Sequence, residues 1–311
     1  MDIESIRTLL SVAQLGGFTR AGEHLRRSQP AISRRIGLIE RELGAPLLGR
    51  VRGGVRLIEA GQAFLPFAEA ALAAIKDGCE AVRAAVTEER GDVSLALVGM
   101  LADTRIVDVL RSFAKRSKSE ALDLRTASSQ EVSDLVRRGE VTLGLRYFAD
   151  ERPELISKVV TAETMLVICP PEHPLAGRRA GRAELAGERW IGFPAVHGRE
   201  SFGHILNRRL MAAGLDDAKV TVIDSLTAQK RLVEAGFGIA LVPESGVRDE
   251  LKLGLLQEIP APLVRTSVPI AVIHRRKGYL NSAAKALIAL LGDASLRLDG
   301  KPRPIGRSKR V

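Results

Sequence analysis

The segment SQPAISRR carries side chains that suit the recognition of base edges in double-stranded DNA. Gln29 can form two hydrogen bonds with adenine, Arg34 can do the same with guanine, and Ser33 can bond to a base or a phosphate. Ser28 is predicted to N-cap a helix, and Pro30 falls in its first turn, where a missing N–H is tolerated. A helix with such an N-terminal half has the shape and the chemistry to enter the major groove.

Three predicted helices and a hairpin surround this segment. The first helix has an apolar stripe over residues 3–13 and ends at Gly16. Thr19 is expected to N-cap the second helix, and the third is expected to run to about Leu43 and to stop at Gly44. Residues 47–57 read as two short strands around a pair of glycines, which is typical of a hairpin. Three helices and a two-stranded wing define a winged helix-turn-helix.

The helix pair and the wing together supply the candidate DNA contacts. Arg50, Arg52 and Arg56 of the wing are expected to approach the DNA backbone or the minor groove. For any single arginine, the alternative is a solvated surface charge. The full set of candidates is Thr19, Arg20, Ser28, Gln29, Pro30, Ser33, Arg34, Arg35, Arg50, Arg52 and Arg56.

Residues 1 to about 59 resemble the DNA-binding domain of the LysR-type transcriptional regulators. The resemblance rests on FTRAGEHLRRSQPAISRRIGLIERELGAPLLGR and on VRLIEAG, which follow one another in the order typical of the family. Three positions depart from the family pattern: Gly22 replaces the second of two alanines, Leu48 a phenylalanine and Ile58 a threonine. We expect Gly22 to cost the second helix up to about 1 kcal/mol relative to alanine. None of the departures removes a DNA-facing group.

Residues 60–90 form a predicted linker helix with an unbroken heptad seam. Apolar residues alternate at spacings of three and four, which indicates packing along a partner helix. The alternative is an amphipathic helix packed on its own domain. Pro66 is expected to kink the helix, and Cys79 is interpreted as a small apolar side chain. The resemblance favours dimerisation through the seam, which comprises Leu65, Ala68, Leu72, Ile75, Cys79, Val82 and Val86.

Beyond the linker, short apolar strands alternate with helices, which predicts a largely parallel α/β sheet. The resemblance implies an effector-binding domain of two subdomains, similar to type 2 periplasmic binding proteins, with the chain crossing between them twice. The predicted boundaries are 1–59 for the DNA-binding domain, 60–90 for the linker, 91–299 for the effector domain (subdomain I, 91–162 and 267–299; subdomain II, 163–266) and 300–311 for a basic, disordered tail.

Ligands in such sheets bind beyond the carboxyl ends of the strands, and this rule selects the effector contacts without reference to the family. Several small hydroxyls fall at predicted helix starts, where an anion is favoured, and Arg146 could pair with a carboxylate. An organic anion is therefore a candidate effector. The alternative is that the hydroxyls only cap helices and that Arg146 forms a structural ion pair. The candidates are Met100, Leu101, Thr104, Ser128, Ser129, Arg146, Tyr147, Phe193, Ser225 and Thr227.

The composition narrows the class of protein. The chain has 311 residues, is 45% hydrophobic and 27% charged, and contains no apolar run long enough to span a membrane. Its net charge of +10 is concentrated at the two ends, which indicates an anionic partner, although the basic tail has the alternative of a solubilising extension. Two cysteines and the lack of a signal peptide favour a reducing cytoplasm.

These patterns predict a cytoplasmic, sequence-specific transcription regulator controlled by a small-molecule effector. The expected partners are double-stranded promoter DNA, the effector and a second copy of the chain in a dimer or tetramer, with RNA polymerase as a further candidate. No catalytic motif, metal-ligand spacing or cofactor fingerprint is found. The alternative is a small-molecule binding protein or an enzyme with an accessory helical domain.

Overall fold

The computed structural model describes residues 1–86, 91–116, 121–196 and 200–298. We call residues 1–57 the head, the long helix that follows the linker helix, and the residues from 91 onwards the body. The predicted disordered tail, 300–311, lies outside the described residues.

The head is a winged helix-turn-helix, as the sequence predicts. Gly16 and Gly44 end the first and third helices in the left-handed conformation, and Gly53, with φ +94°, turns the hairpin. The hairpin is antiparallel, with Leu48 opposite Leu57 and Val51 opposite Gly54. The elements are α1 (Ile3–Leu15), α2 (Phe18–Leu25), α3 (Gln29–Leu43), β1 (Leu48–Val51) and β2 (Gly54–Leu57).

Two predicted helix caps of the head differ in detail. The prediction that Thr19 caps α2 is wrong, because the helix already begins at Phe18, which packs against the core of the head, and the N-cap is Gly17. Ser28 occupies the N-cap position of α3 in an extended conformation, but its side chain makes no capping hydrogen bond. Its hydroxyl therefore remains available at the start of the helix.

The core of the head joins all its elements to the linker helix, α4 (Glu59–Val86). The carboxylate of Glu40 accepts hydrogen bonds from Leu47 N at 2.7 Å and Leu48 N at 3.2 Å, which fixes the wing against α3. Ala68 of α4 is fully buried in the same core. The buried apolar residues of the head core are Ile6, Leu9, Val12, Ala21, Ile32, Ile36, Ile39, Leu47 and Ala68.

Within the part of the chain that the structure describes, the body is built on one mixed sheet of nine strands. They are β3 (Val93–Val98), β4 (Leu122–Ala127), β5 (Leu143–Tyr147), β6 (Leu155–Cys169), β7 (Arg189–Gly192), β8 (Lys219–Val222), β9 (Ile239–Pro243), β10 (Gln257–Ile259) and β11 (Thr266–Arg275). Their order is β4-β3-β5-β11-β6-β9-β7-β8, and β10 pairs with β6. The two outer halves are parallel, as predicted, whereas the central strands are antiparallel.

Two long central strands carry the chain between the halves. β6 pairs with β11 along residues 155–165 and with β9 along residues 165–168, and the register with β11 shifts between Ile270 and Ala271. Only the second half of β6 was predicted, because polar residues interrupt its first half. The helices of the body are α5 (Ile106–Arg116), α6 (Ser129–Arg137), α7 (Arg182–Ala186), α8 (Phe202–Ala212), α9 (Leu226–Glu234), α10 (Arg248–Leu253) and α11 (Ser282–Leu298).

The linker helix also packs against the body. The Lys76 ammonium donates to the carbonyl of Gly139 at 2.9 Å. Asp77 accepts from the Arg275 guanidinium at 2.7 Å and from the backbone amide of Tyr279 at 3.1 Å. Ala73 lies beside Gly139, where a methyl group would be only 2.8 Å from the Ala73 side chain. These contacts define a polar, body-facing stripe of α4 beside the predicted apolar seam.

Candidate nucleic-acid interface and effector cleft

The start of α3 is an exposed surface of unpartnered polar side chains. Gln29, Ser33 and Arg34 are all exposed, and none of them forms a side-chain hydrogen bond or ion pair with the described residues. Ile32 and Ile36 on the opposite side of α3 are buried in the core of the head. The helix is therefore held by its apolar side, while its polar N-terminal half is free to contact a ligand.

Arg35 differs from the other candidate DNA contacts. Its guanidinium lies 3.6 Å from the carboxylate of Asp2, the residue that caps α1. The hydrogen bond from Ser5 to Asp2, assisted by the charge of Arg35, holds the pKa of that carboxyl below its usual value. A contact between Arg35 and DNA would compete with this ion pair.

The wing and the start of α2 enclose a basic concavity of about 530 Å³. Arg20, Arg52 and Arg56 line it, and these three arginines form no ion pair with the described residues. The wing approaches α1 closely because Val55 N donates to Gly16 O at 3.0 Å, and a methyl group at Gly54 would lie 2.4 Å from that oxygen. Uncompensated guanidinium groups in a concave surface favour a bound anion such as a phosphate.

The remaining candidates of the head are also at the surface. Thr19, Ser28, Pro30 and Arg50 are exposed. Arg50 lies on β1 opposite Val55. Candidate DNA contacts are thus exposed both at the start of α3 and on the wing. This arrangement allows α3 to enter a groove while the wing contacts the DNA backbone.

The predicted dimerisation seam divides into two parts. Ala68 is buried in the head, and Leu72 packs against the same core, so the alternative of packing on the chain's own domain applies to these two residues. Farther along the helix, Ile75, Val82 and Val86 are 39, 64 and 80% exposed, and Cys79 is exposed as well. Leu65 is half-buried. Pro66 does not end the helix, which continues through it.

A cavity of about 240 Å³ opens between the two halves of the sheet, and we call it the cleft. Thr104 lines it from the first half, Ser245 from the second, and Glu163 from the crossing strand β6. The hydroxyl of Thr104 donates to Leu101 O at 2.6 Å, and Leu101 itself is buried in the core, with Met100 packed against it. Of the three predicted residues that follow β3, only Thr104 lines the cleft.

The floor of the cleft is a buried hydrogen-bond cluster that spans both halves. The hydroxyl of Tyr147 donates to Glu163 at 2.5 Å, and Ser245 donates to the same carboxylate through its backbone amide, at 3.1 Å, and through its hydroxyl. Burial and the charge of Glu163 raise the pKa of Tyr147, so its hydroxyl remains a donor. The sequence analysis did not select Glu163 or Ser245, although a glutamate two residues before the apolar run 165–169 is a signal.

Aromatic rings cover one side of this cluster. The ring of Phe202, at the start of α8, lies 4.8 Å from that of Tyr147, 5.8 Å from that of Phe148 and 5.2 Å from that of Phe193, measured between centroids. Phe193 is half-buried. Two predicted effector contacts, Tyr147 and Phe193, are thus brought together by a residue that the sequence reasoning did not select.

Arg146 forms an ion pair, as the alternative interpretation describes, and it does not line the cleft cavity. Its guanidinium donates to Ser133 at 2.7 Å and to Asp150 at 2.5 Å. Successive side chains of a strand point to opposite faces of the sheet. Because the hydroxyl of Tyr147 reaches Glu163 on one face, the preceding residue lies on the other face, where it contacts Ser133 of α6.

The candidate hydroxyls of the body mainly cap helices. Ser128 accepts from Glu131 N at 3.3 Å, and Glu131 accepts in return from Ser128 N at 2.9 Å, which forms a capping box. Ser225 accepts from Ala228 N at 3.4 Å at the start of α9. Ser129 is half-buried and Thr227 is exposed, and neither lines the cleft cavity.

Within the described residues, no helix is long and apolar enough to cross a membrane. The same residues contain no group of three His, Cys, Asp or Glu side chains that could hold a metal ion.

A DNA-binding head, a long helix and a two-lobed α/β body define a regulator that combines a winged helix-turn-helix with a ligand-sensing domain. Residues 3–62 match the family described as "Bacterial regulatory helix-turn-helix protein, lysR family", and residues 87–295 match the "LysR substrate binding domain". The chain therefore belongs to the LysR family of transcriptional regulators. This membership favours a regulator over an enzyme or binding protein with an accessory helical domain.

Known proteins resemble the chain over nearly its whole length. It is 28% identical to the Hca operon transcriptional activator HcaR of Escherichia coli over 293 residues, which cover 94% of this chain and 97% of HcaR. The crystal structure of CbnR, a LysR family transcriptional regulator, is similar with a TM-score of 0.68 at 23% identity, covering 95% of this chain and 99% of CbnR. The structure of a full-length OxyR variant from Pseudomonas aeruginosa is similar with a TM-score of 0.71 at 20% identity, covering 100% of this chain and 99% of the OxyR variant.

Proposed function

We propose that this chain is a cytoplasmic, sequence-specific regulator of transcription whose binding to promoter DNA responds to a small molecule in the cleft. The observation that carries the proposal is the exposed, unpartnered start of α3, where Gln29, Ser33 and Arg34 project from a helix held by its apolar side. In this arrangement α3 enters the major groove, and these three side chains read base edges.

The other candidates of the head position it on the duplex. Arg20, Arg52 and Arg56 line one concavity and contact phosphates, and Arg50 reaches the backbone or the minor groove. The remaining members of the proposed interface, Thr19, Ser28, Pro30 and Arg35, lie on the same helix pair. Phosphate contacts fix the register of the head and supply most of the salt-dependent affinity.

We further propose that two copies pair through the linker helix. The exposed part of the seam, Ile75, Cys79, Val82 and Val86, has no cover in one chain, and Leu65 extends it toward the head. Ala68 and Leu72 support this surface from inside the head core. Pairing would bury the apolar side chains and present two α3 helices to half-sites on DNA.

The effector site that we propose is the cleft with its aromatic border. Thr104, Tyr147 and Phe193 belong to it, and Ser128 and Ser225 cap helices at the same carboxyl ends of the strands. A small organic anion is the proposed ligand, because helix N-termini favour negative charge. We propose that the polypeptide crosses between the two subdomains near residues 162 and 267. The pairing of β6 with β11 at these positions supports a hinge there.

The function is tested by measuring how tightly the purified protein binds the DNA upstream of its own gene at several salt concentrations. A regulator that neutralises about 6–10 phosphates should lose roughly 10³–10⁵ in affinity between 50 and 200 mM salt. A variant in which Gln29, Ser33 and Arg34 are all alanine should lose its preference for that fragment over unrelated DNA. A matched variant with Arg111, Lys115 and Arg116 of α5 changed to alanine should retain it. No binding by the unaltered protein at low salt would refute the proposal.

A further inference from the structure

A series of ion pairs begins on the linker helix and runs into the body. Buried Glu69 of α4 accepts a hydrogen bond from Arg137, at the end of α6. Arg137 lies one helical turn from Asp134, with 4.0 Å between Nε and Oδ1. Asp134 in turn accepts from Arg152 at 2.7 Å. Four charged groups of alternating sign thus connect the helix that carries the head to the interior of the first half of the sheet.

The series continues to the strand that ends in the cleft. Arg152 lies 2.9 Å from Asp150, and Asp150 lies 2.5 Å from Arg146 on β5. The next residue of β5 is Tyr147, whose hydroxyl donates to Glu163 at the floor of the cleft. The backbone between Arg146 and Tyr147 therefore joins the ion pairs on one face of the sheet to the cleft cluster on the other.

The charges within the series stabilise one another. Burial disfavours the charged form of Asp150, but hydrogen bonds from Arg152 and the charge of Arg146 outweigh it and hold the pKa of that carboxyl well below its usual range. Hydrogen bonds to Asp150 likewise raise the pKa of Arg152. Removing one member would leave a partly buried charge without a partner. The groups are thus expected to rearrange together.

Helix α6 gives the series a rigid support. Its N-terminus is capped by Ser128 at the carboxyl end of β4, and its other end carries Arg137, which contacts Glu69. Just after the end of α6, the carbonyl of Gly139 accepts a hydrogen bond from Lys76 of α4. One helix of nine residues therefore extends from the carboxyl end of β4 to the linker helix.

We propose that the contact between Glu69 and Arg137 couples the cleft to the linker helix, so that the state of the cleft sets the orientation of α4 and hence of the head on DNA. This inference rests on the proposed function, because it requires operator binding by the head and a cleft that changes state. Glu69 and Arg137 act as positioning residues, since they touch neither DNA nor the effector.

A double-mutant cycle on the full-length protein tests the coupling without an identified effector. Glu163→Gln alters the hydrogen-bond cluster of the cleft, and Glu69→Gln alters the contact between Glu69 and Arg137. Each substitution changes the charge of the side chain but hardly changes its shape. The dissociation constant for the upstream DNA fragment is measured at one salt concentration for the unaltered protein, both single variants and the double variant. We expect the combined change to differ from the product of the single changes by roughly 2- to 30-fold, which corresponds to coupling of about 0.5–2 kcal/mol.

The control for this cycle is the exposed ion pair of Glu200 with Arg208. Glu200→Gln should combine multiplicatively with either variant, within about twofold. The swap of Glu69→Arg with Arg137→Glu retains the pair, so Glu163→Gln should change the affinity by the same factor in the swapped protein as in the unaltered protein. A purely structural role would lower the melting temperature while the cycle remained multiplicative.

Two failures are distinguishable. If the unaltered protein binds the fragment but the cycle is multiplicative, or if Glu163→Gln leaves the affinity unchanged, the coupling is refuted and the regulator function stands. If the unaltered protein does not bind its upstream DNA at low salt, the proposed function fails and the coupling fails with it.

Discussion

Replacing Gly22 by alanine should destabilise the head, although alanine is the better helix former. Gly22 lies in α2 beside the turn into α3, where the amide of Arg27 donates to its carbonyl at 2.8 Å. A methyl group at Gly22 would lie 2.7 Å from the carbonyl oxygen of Arg27 and 3.7 Å from the side chain of Ile32. The expectation from sequence that this glycine costs α2 some helix propensity omits a second effect, because the close turn leaves no room for a side chain.

Three effects set the size of the change. Alanine gains about 1 kcal/mol from helix propensity. Overpacking against a backbone atom costs about 1–3 kcal/mol, and opening the turn to relieve it would forfeit a hydrogen bond worth about 0.5–1.5 kcal/mol. The net expectation is a loss of about 1–2 kcal/mol, and each kcal/mol corresponds to about 4–8 °C in the melting temperature of a domain of this size.

Gly37→Ala is the matched control, because Gly37 also lies within a helix of the head but has no atom within 4 Å of its added methyl group. Here the propensity gain acts alone, and we expect stabilisation of up to about 1 kcal/mol. The fluorescence of the single tryptophan, Trp190, follows the body alone, whereas far-UV circular dichroism follows the helices of the head, the linker and the body together. The two variants should shift the circular-dichroism transition in opposite directions and leave the fluorescence transition in place.

Equal stabilisation by both substitutions would refute the steric argument, since it would mean that the turn opens at no cost. A shift of the tryptophan transition by Gly22→Ala would contradict the assignment of the effect to the head. The same variant should also bind DNA more weakly, because the turn that it displaces positions the start of α3.

Three further predictions concern the interface, the seam and the body. Arg34→Ala should weaken binding by about 1–3 kcal/mol and relax the preference at one base position, while Arg111→Ala should not; a uniform loss across sequences would show a phosphate contact instead. Changing both Ile75 and Val82 to glutamate should give monomers, and an unchanged mass in light scattering would contradict pairing through the seam. Burial raises the pKa of Cys169 from 9.0 to about 11. Because the thiol then ionises at a lower pH in the unfolded chain than in the folded one, the free energy of unfolding should fall as the pH rises from 9 to 11. Denaturant titrations across this pH range should show that Cys169→Ala removes this part of the fall.

The sequence predicted the elements of the head well because their boundaries depend on local chemistry. Glycines that adopt positive φ, such as Gly16 and Gly44, mark helix ends without any knowledge of the rest of the chain. The apolar stripe of α3 likewise follows from a repeat within the helix. The exposed positions of Gln29, Ser33 and Arg34 are a consequence of that stripe.

Features set by distant parts of the chain were less predictable. The need for Gly22 arises from a carbonyl in the next turn, and the seam loses Ala68 to the core of the head because α1 packs over it. Arg146 was assigned to the cleft because its strand ends there, but the alternation of the strand turns it to the opposite face. Glu163 was not selected because its two donors, Tyr147 on β5 and Ser245 just after β9, are far apart in sequence and come together only in the folded chain.

The two sets of contacts made by α4 overlap within a few residues, and this overlap limits how the molecule can move. Ala68 and Leu72 belong to the core of the head, whereas Glu69, Ala73 and Asp77 are held by the body. The same ten residues of one helix, 68–77, therefore contact both the head and the body. A signal from the body therefore reaches the head through a helix segment that both of them contact.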